Sequence, residues 1–461
     1  MSPLSDQPLS PLDGRYRAII APLTEYLSEA GLNRARLRVE VEWLIALTDA
    51  GVAGTTPLSP EERANLTGIV ERFGAAEVAE LASLESVTRH DVKAVEYLLR
   101  AHLEAIGLGR LAELTHFACT SEDINNLAIA LTVQDALREV WAPAVGLVLE
   151  RLTGLARSWA AVPMLARTHG QPATPTTLGK ELAVFAHRLR RVRDRALSTE
   201  ITGKANGASG DYAAHVVAAP DVDWEALAER FVTGLGLTWN PLTTQIESHD
   251  WQVELYGHLA HLNGVLHNLC TDVWLYIALG YLKQVPVAGA TGSSTMPHKV
   301  NPIRFENAEA NLELSNGILG TLAGTLVTSR LQRDLTDSST QRNIGVGIGH
   351  SLVALDNIAR GLTEIDADEE RMSADLDANQ EVLGEAVQTV VRAEIVAGRS
   401  DLADPYEIVK GLTRGRRVTG ERMREFVAGL GLAPEAGDRL AALTPATYTG
   451  LAARLVRHLE D

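Results

Sequence analysis

Several polar stretches of this chain hold the side chains that could do chemistry. The longest, Gly292-Ser293-Ser294-Thr295-Met296-Pro297-His298-Lys299-Val300-Asn301-Pro302, gathers hydroxyls, an imidazole, an ammonium and an amide. Gly292 loosens its backbone, Pro297 stiffens it, and Pro302 is placed to start the next helix. A loop this long is uncommon unless it is a lid or a disordered connection, and taken alone it fits either. Thr88-Arg89-His90-Asp91 sets an imidazole beside a carboxylate at a helix start. In Thr115-His116-Phe117-Ala118-Cys119-Thr120-Ser121-Glu122-Asp123, Thr120 precedes Asp123 as in a capping box with Asp in place of Glu. The helix N-terminus it opens suits an anion. Arg167-Thr168-His169-Gly170-Gln171-Pro172-Ala173-Thr174-Pro175 carries His169 where prolines and a glycine forbid helix. Ser10 to Tyr16 delivers Arg15 and Tyr16 side by side from an Asp-Gly turn. Gln332 to Asn343 places Arg333 and Arg342 in one polar turn.

This inventory suits removal of a proton beside a carboxylate. Such a reaction needs a base, an acid, and fixed positive charge where enolate-like charge develops. The sequence has no P-loop, no GxGxxG on a strand, no HExxH, no Cys ligand set and no GxSxG elbow. Most nucleotide-dependent kinases, dehydrogenases and zinc hydrolases are thereby set aside.

Helical patterns must position these stretches. Short helices are expected from about Pro22 to Leu111, with Ser59-Pro60-Glu61-Glu62 as N-cap, proline and acidic first turn. A long helix starts after Asp123 and runs into the 150s, kinked near Pro143. The next has a seam of Leu178, Leu182, Phe185, Leu189 and Val192, which suits bundle packing. Its Arg188, Arg190, Arg191, Arg193 and Arg195 read as a solvated face paired with acidic neighbours. Residues 201–248 are irregular. Further long helices are expected at about Asp250–Tyr281, Ile303–Ser329 and Asn343–Glu364, and shorter ones beyond 366. The fold class is therefore mainly α, with an N-terminal helical domain (1–114), a central long-helix bundle (115–365) and a C-terminal helical domain (366–461). The polar stretches fall at helix ends, which suits a site there.

Whole-chain totals agree. Over 461 residues the hydrophobic content is 46%, enough for a sizeable core, and aromatics are only 5%. The net charge of -17 argues against nucleic acid as a partner. A local arginine cluster can still take a small anion. The two cysteines, Cys119 and Cys270, are in no metal spacing and suggest a reducing compartment. No apolar run reaches the roughly 18 residues of a membrane span, so a cytoplasmic protein is expected.

Taken in order along nearly the whole chain, these segments resemble the fumarase/aspartase superfamily, whose signature GSSxMPxKxNP stands here at Gly292 to Pro302. Within it they resemble the adenylosuccinate-cleaving branch of the longer bacterial type. The resemblance implies β-elimination of fumarate from adenylosuccinate and from the succinyl-carboxamide ribotide of purine synthesis, with no cofactor or metal. It implies Ser293 as general base and His169 as general acid, with His90 near the phosphate or assisting the acid. Lys299 and Asn301 would hold a carboxylate and its developing charge. Arg15, Tyr16, Arg333, Ser338 and Arg342 would contact the nucleotide, especially its phosphate. Thr120, Ser121, Gln245 and Asn307 would hold the succinyl group and base, and Arg89, His90 and Asp91 belong to the same binding set. A homotetramer with sites shared between subunits is also implied.

The sequence departs from the family at two places. Arg89 stands where Asn is expected before His90; an arginine there can add a phosphate contact or point to solvent. Ser248 stands where Pro is expected, which leaves Gln245 in place. The nearest rival is another fumarate-releasing lyase such as argininosuccinate lyase. The 292–302 loop cannot separate the two, but the arginines favour a phosphorylated substrate. A crystallin-like, non-enzymatic relative is argued against by the intact Ser293, His169 and Lys299.

Overall fold

The computed structural model describes residues 7–285, 296, 299–413 and 418–460. The chain is mainly helical, as expected. It opens with α1 (Arg17–Leu27), α2 (Glu29–Asp49), α3 (Pro60–Glu71), α4 (Ala75–Thr88) and α5 (Asp91–Ala105). There follow α6 (Ser121–Ala136), α7 (Ala142–Ser158), α8 (Leu178–Leu197), α9 (Ala213–Ala218) and α10 (Trp224–Gly234). Next come α11 (Asp250–Leu279), α12 (Ile303–Leu326), a short α13 (Thr336–Gln341) and α14 (Ile344–Gly361). The C-terminal part holds α15 (Glu369–Asp377), α16 (Gly384–Val396), α17 (Pro405–Thr413), α18 (Gly420–Gly429), α19 (Pro434–Ala441) and α20 (Ala452–Leu455). Strands are minor. Antiparallel ladders join β1 (Pro163–Met164) to β4 (Thr176–Thr177), β2 (Arg167–Thr168) to β3 (Gln171–Pro172), and β7 (Leu282–Gln284) to β8 (Ile365–Ala367). β5 (Thr202–Gly203) pairs in parallel with β6 (Thr238–Trp239).

Local sequence signals set the helix ends. Ser59 Oγ accepts the Glu62 N–H at 3.3 Å, and Glu62 Oε2 accepts the Ser59 N–H at 2.8 Å, so the expected cap at the start of α3 forms. The expected kink takes the form of a π-helical turn, Leu137–Trp141, inserted between α6 and α7 just before Pro143. A π turn frees the carbonyls that a helical proline cannot reach. All the seam residues of α8 are buried. The arginine face meets acids in part: among the described residues Arg193 pairs with Asp194 at 2.6 Å, while Arg188 donates to Asn268 Oδ1 at 3.0 Å and Arg190 to the Leu459 carbonyl at 2.7 Å. A guanidinium satisfies its fork with any aligned oxygen, so a carboxylate is not required.

The chain groups into two compact units, each built from three stretches. The first comprises Met1–Val145, Val192–Gly264 and Ala310–Asp356. Its core includes Leu37, Val39, Leu44 and Leu47 of α2, Leu98 and Leu99 of α5, and Leu127 and Val133 of α6, all nearly inaccessible. Polar cross-links are buried there too. Asn263 Nδ2 donates to Ser315 Oγ at 3.0 Å, Ser315 Oγ to the Gly347 carbonyl at 2.7 Å, and Ser351 Oγ to Asn263 Oδ1 at 2.9 Å. Each buried polar atom in that set finds a partner, which keeps desolvation from costing stability. The second unit comprises Gly146–Arg191, Val265–Glu309 and Asn357–Asp461. One of its apolar clusters gathers Leu383, Val387, Val391, Leu412, Met423 and Val427. Cys119 and Cys270 are both free thiols.

Candidate active site

In the first unit, four arginines and a set of hydroxyls converge on a cavity of about 430 Å³. Its lining includes Arg36, Arg89, His90, Asp91, Ser121, Asn125, Arg333, Ser338 and Arg342. Seven of these nine come from the sequence-predicted set; Arg36 and Asn125 were not foreseen. Three polar stretches remote in sequence therefore meet at one place, by way of the ends of α4, α5, α6 and α13.

A continuous polar chain fixes the walls. Arg342 bridges Glu29 at 2.7 Å and Asp91 at 3.5 Å. Asp91 also pairs with Arg36 at 2.8 Å, and Arg36 Nε donates to Asn125 Oδ1 at 2.9 Å. Asn125 Nδ2 donates to Glu122 Oε1 at 2.9 Å, and Arg333 meets the same oxygen at 3.0 Å. Arg333 further donates to Ser338 Oγ at 3.1 Å and to Gln245 Oε1 at 3.4 Å. Burial alone would push the Asp91 carboxyl up, but Arg36, the Val92 N–H and Arg342 outweigh it and hold it below the ordinary carboxylate range. Asp91 thus stays ionised and orients two guanidiniums toward the cavity.

The α4–α5 junction is unusually tight. Arg89 alone separates the last residue of α4 from the N-cap of α5, His90, whose Nδ1 accepts the Lys93 N–H at 3.2 Å. Ending one helix and starting another so abruptly forces Arg89 into the left-handed region, at φ 51° and ψ 30°. Non-glycine residues pay roughly 1–2 kcal/mol there, and Asn or Gly is the usual choice. The Asn expected here from the resemblance suits that backbone, and Arg89 departs from it. His90 is exposed and lines the cavity.

Deeper supports hold the polar loops. Thr120 caps α6, and its N–H is accepted by Asp123 Oδ2 at 2.7 Å, half of the expected capping box. The other side of Asp123 makes a fully buried ion pair with Lys204 at 2.9 Å, the two residues being 1% and 0% exposed. Asp123 also accepts the N–H groups of Asn206 and Gly207, and Lys204 donates to the Gly207 carbonyl at 3.2 Å. The loop thus pinned offers the Ala208 carbonyl to Gln245 Nε2 at 2.9 Å. On α13, buried Asp337 meets His249 Nε2 at 3.4 Å and accepts the Ser338 N–H at 2.6 Å. Burial raises its pKa, but His249 and the Ser338 N–H more than offset that, and it lies below the ordinary range. Ahead of α6, His116 Nδ1 contacts Glu40 Oε1 of α2 at 2.6 Å and its Nε2 lies 3.8 Å from Glu96 of α5. Burial opposes its protonation, yet the Glu40 contact and the nearby charges raise its pKa overall. It ties the helix that carries His90 to the loop that delivers Thr120 and Ser121.

The remaining predicted residues sit elsewhere. Arg15 is exposed, and Tyr16 is half-buried, packed on the cluster of Leu12, Ile20 and Val353; neither lines the cavity. His169, Lys299, Asn301 and Asn307 belong to the second unit. His169 and Gly170 form the two-residue turn of the β2–β3 hairpin, with φ 53° and 74°. Positive φ at both positions is the turn that matches strand twist, and it presents the His169 ring outward to solvent. Arg167 anchors this hairpin on Asp375 at 2.6 Å. Lys299 is exposed, Asn301 is half-buried, and Asn307 is half-buried on α12. Ser293 lies outside the described residues.

Sequence reasoning missed Arg36, Glu122, Asn125, Lys204 and His249. A signal existed for Arg36. It lies on the same helical face as Glu40, and both are buried at 6% and 0%. Charges one turn apart on an otherwise apolar stripe mark a polar network.

Comparison with known proteins follows the same lines. Residues 14–314 match the Lyase family model, and residues 329–449 match the adenylosuccinate lyase C-terminal model. The chain is 46% identical over 453 residues to adenylosuccinate lyase from Haemophilus influenzae, covering 98% of each chain. It is 46% identical over 454 residues to that of Escherichia coli strain K12, again covering 98% of each. Among solved structures, a fumarate lyase from Mesorhizobium superposes with a TM-score of 0.72 at 21% identity, over 95% of this chain and 97% of that one. A 3-carboxy-cis,cis-muconate lactonizing enzyme from Pseudomonas putida does so with a TM-score of 0.71 at 24% identity, over 95% and 96%. At those identities the structures speak for the fold alone. The full-length identity and the two matched models together establish that the chain belongs to the adenylosuccinate lyase family.

Proposed function

We propose that this protein cleaves adenylosuccinate to AMP and fumarate, and the succinyl-aminoimidazole-carboxamide ribotide to AICAR and fumarate, in purine nucleotide biosynthesis. The observation that carries the reading is the cavity where Arg36, Arg89, Arg333 and Arg342 meet the hydroxyls of Ser121 and Ser338. A tetrahedral dianion such as phosphate is matched by several guanidiniums and hydroxyls together. Family membership supplies the reaction type.

In the elimination, Ser293 takes the proton from the succinyl β-carbon. The C–H electrons form the double bond of fumarate, and the C–N bond breaks toward nitrogen. His169 delivers a proton to that departing nitrogen. His169 on a hairpin tip is exposed, which suits a group that must exchange protons with solvent between turnovers. His90 attends the phosphate or assists the acid. Lys299 and Asn301 hold the carboxylate on which charge accumulates. Arg15, Tyr16, Arg333, Ser338 and Arg342 bind the nucleotide end, and Thr120, Ser121, Gln245 and Asn307 bind the succinyl group and base. The purified protein is expected to release AMP and fumarate in equal amounts from adenylosuccinate with no metal added. Inertness on adenylosuccinate together with cleavage of argininosuccinate would overturn the reading.

The working enzyme is proposed to be a cytoplasmic homotetramer whose sites combine loops from several subunits, with 1–114 and 366–461 flanking a central bundle of 115–365. Supporting this, the long helices expose large apolar residues, Trp274 and Leu275 on α11 and Leu314 on α12, at 40%, 47% and 54%. Such residues at solvent favour burial against another copy. Among the described residues no helix is long and apolar enough to cross a membrane. Light scattering should give the mass of four chains; a monomer mass at micromolar concentration would contradict the assembly.

A further inference from the structure

The residue proposed as general acid sits on a weak element. The β2–β3 hairpin has two residues in each strand, and His169 occupies its exposed tip with a left-handed backbone. Two-stranded hairpins are marginal in water, and a non-glycine residue at positive φ adds strain. What holds the imidazole in place must therefore come from outside the hairpin.

The C-terminal helices supply three such contacts. Just ahead of β2, Leu165 packs with Leu376 of α15 and Val382 in a small apolar cluster. Arg167, the first residue of β2, pairs with Asp375 of α15 at 2.6 Å. Beyond β3, Thr174 Oγ1 donates to Glu385 Oε2 of α16 at 2.5 Å, but that contact is exposed. The Asp375 side chain is only 15% exposed, and it is itself built into the frame. Fully buried Tyr281, between α11 and β7, donates its hydroxyl to the same Oδ2. Asn379 Nδ2 donates to the Asp375 backbone carbonyl at 2.7 Å. Burial, and after it Asp375, push the Tyr281 hydroxyl up to about 12, so it stays a donor. One carboxylate oxygen thus receives a guanidinium from the hairpin and a phenol from the buried frame.

We propose that Asp375 is a positioning residue for the elimination, acting through Arg167 to fix the hairpin that presents His169. The proposal rests on His169 being the general acid. Proton delivery needs the imidazole within hydrogen-bond reach of the departing nitrogen, and a displacement of about 1 Å can cost about 100-fold in rate. Asp375 does not line the arginine-rich cavity, so substrate affinity should not depend on it.

The test is a double-mutant cycle in steady-state cleavage of adenylosuccinate, using Asp375→Asn, His169→Gln and the two combined. Asparagine keeps the size and an acceptor for Tyr281 but loses the charge that holds Arg167. Asp375→Asn should lower kcat about 10- to 100-fold and leave KM within about twofold. In the His169→Gln background the same change should cost less than about twofold, because the group it positions is gone. A carboxylate that only stabilises the fold would cost the same factor in both backgrounds. Tyr281→Phe removes one hydrogen bond from Asp375 and keeps its charge. It should lower kcat about 3- to 10-fold, again only while His169 is present, and it carries the cycle if Asp375→Asn does not fold. Amide hydrogen exchange over residues 165–174 should quicken in either variant. The inference is overturned if kcat stays at the wild-type value, if KM rises in its place, if the loss persists without His169, or if exchange over 165–174 is unchanged. Wild-type turnover by His169→Gln alone is a separate outcome: it removes the acid assignment and the inference with it.

Discussion

Ser293→Ala is expected to lower turnover of adenylosuccinate by about 10²–10⁴-fold while substrate binding is retained. A serine hydroxyl is a weak base in water. It becomes adequate only where its alkoxide is stabilised and water is excluded. Lys299 lies six residues on in the same stretch, close enough in sequence to supply positive charge in the proposed mechanism. The groups proposed to bind the substrate, Arg333, Ser338, Arg342, Thr120 and Gln245, are all remote from 292–302 in the chain. On the proposed roles, removing Oγ takes away the proton acceptor and leaves the contacts proposed for the phosphate. Single-turnover kinetics and equilibrium binding on the same variant separate the two effects. Near-wild-type turnover would exclude Ser293 as the base.

Lys204→Met should have the largest effect on stability, a loss of about 3–5 kcal/mol. Lys204 is fully buried, and its ammonium balances an equally buried Asp123 at 2.9 Å. Methionine fills a similar volume but leaves the carboxylate without its counter-charge. Asp123 would keep the Thr120, Asn206 and Gly207 N–H groups, so the damage is softened but not cancelled. The variant should also loosen the loop that offers Ala208 to Gln245, raising KM together with the loss of stability. Replacing both partners, Asp123→Leu with Lys204→Met, should recover part of the stability but not the KM, because the capping carboxylate is gone. Denaturant midpoints matching the wild type in Lys204→Met would show that the pair contributes nothing.

The helical layout was legible because it rests on local signals. The Ser59 cap, the α8 seam and the long helices from Asp250, Ile303 and near Asn343 are all written in residue type and spacing. The polar stretches were legible as candidates for the same reason. Their grouping was not. That Arg89, Ser121 and Arg342 face one cavity depends on how α2, α5, α6 and α13 pack, and no local pattern encodes it. Arg36 sits among the neighbouring Arg34 and Arg38, and its one-turn spacing from Glu40 becomes telling only once both are seen to be buried. The Asp123–Lys204 pair joins residues far apart in the chain, each of which reads alone as a cap or a loop charge. Arg15 and Tyr16 show the opposite limit. Their adjacency in sequence is real, yet neither lines the cavity.

The account stands on the arginine-lined cavity of the first unit being where the substrate phosphate binds. A crystal structure of Ser293→Ala with adenylosuccinate bound tests this most directly. The phosphate is predicted within hydrogen-bond distance of Arg89, Arg333, Ser338 and Arg342. A phosphate bound elsewhere, with these side chains still in their present ion pairs, would contradict it.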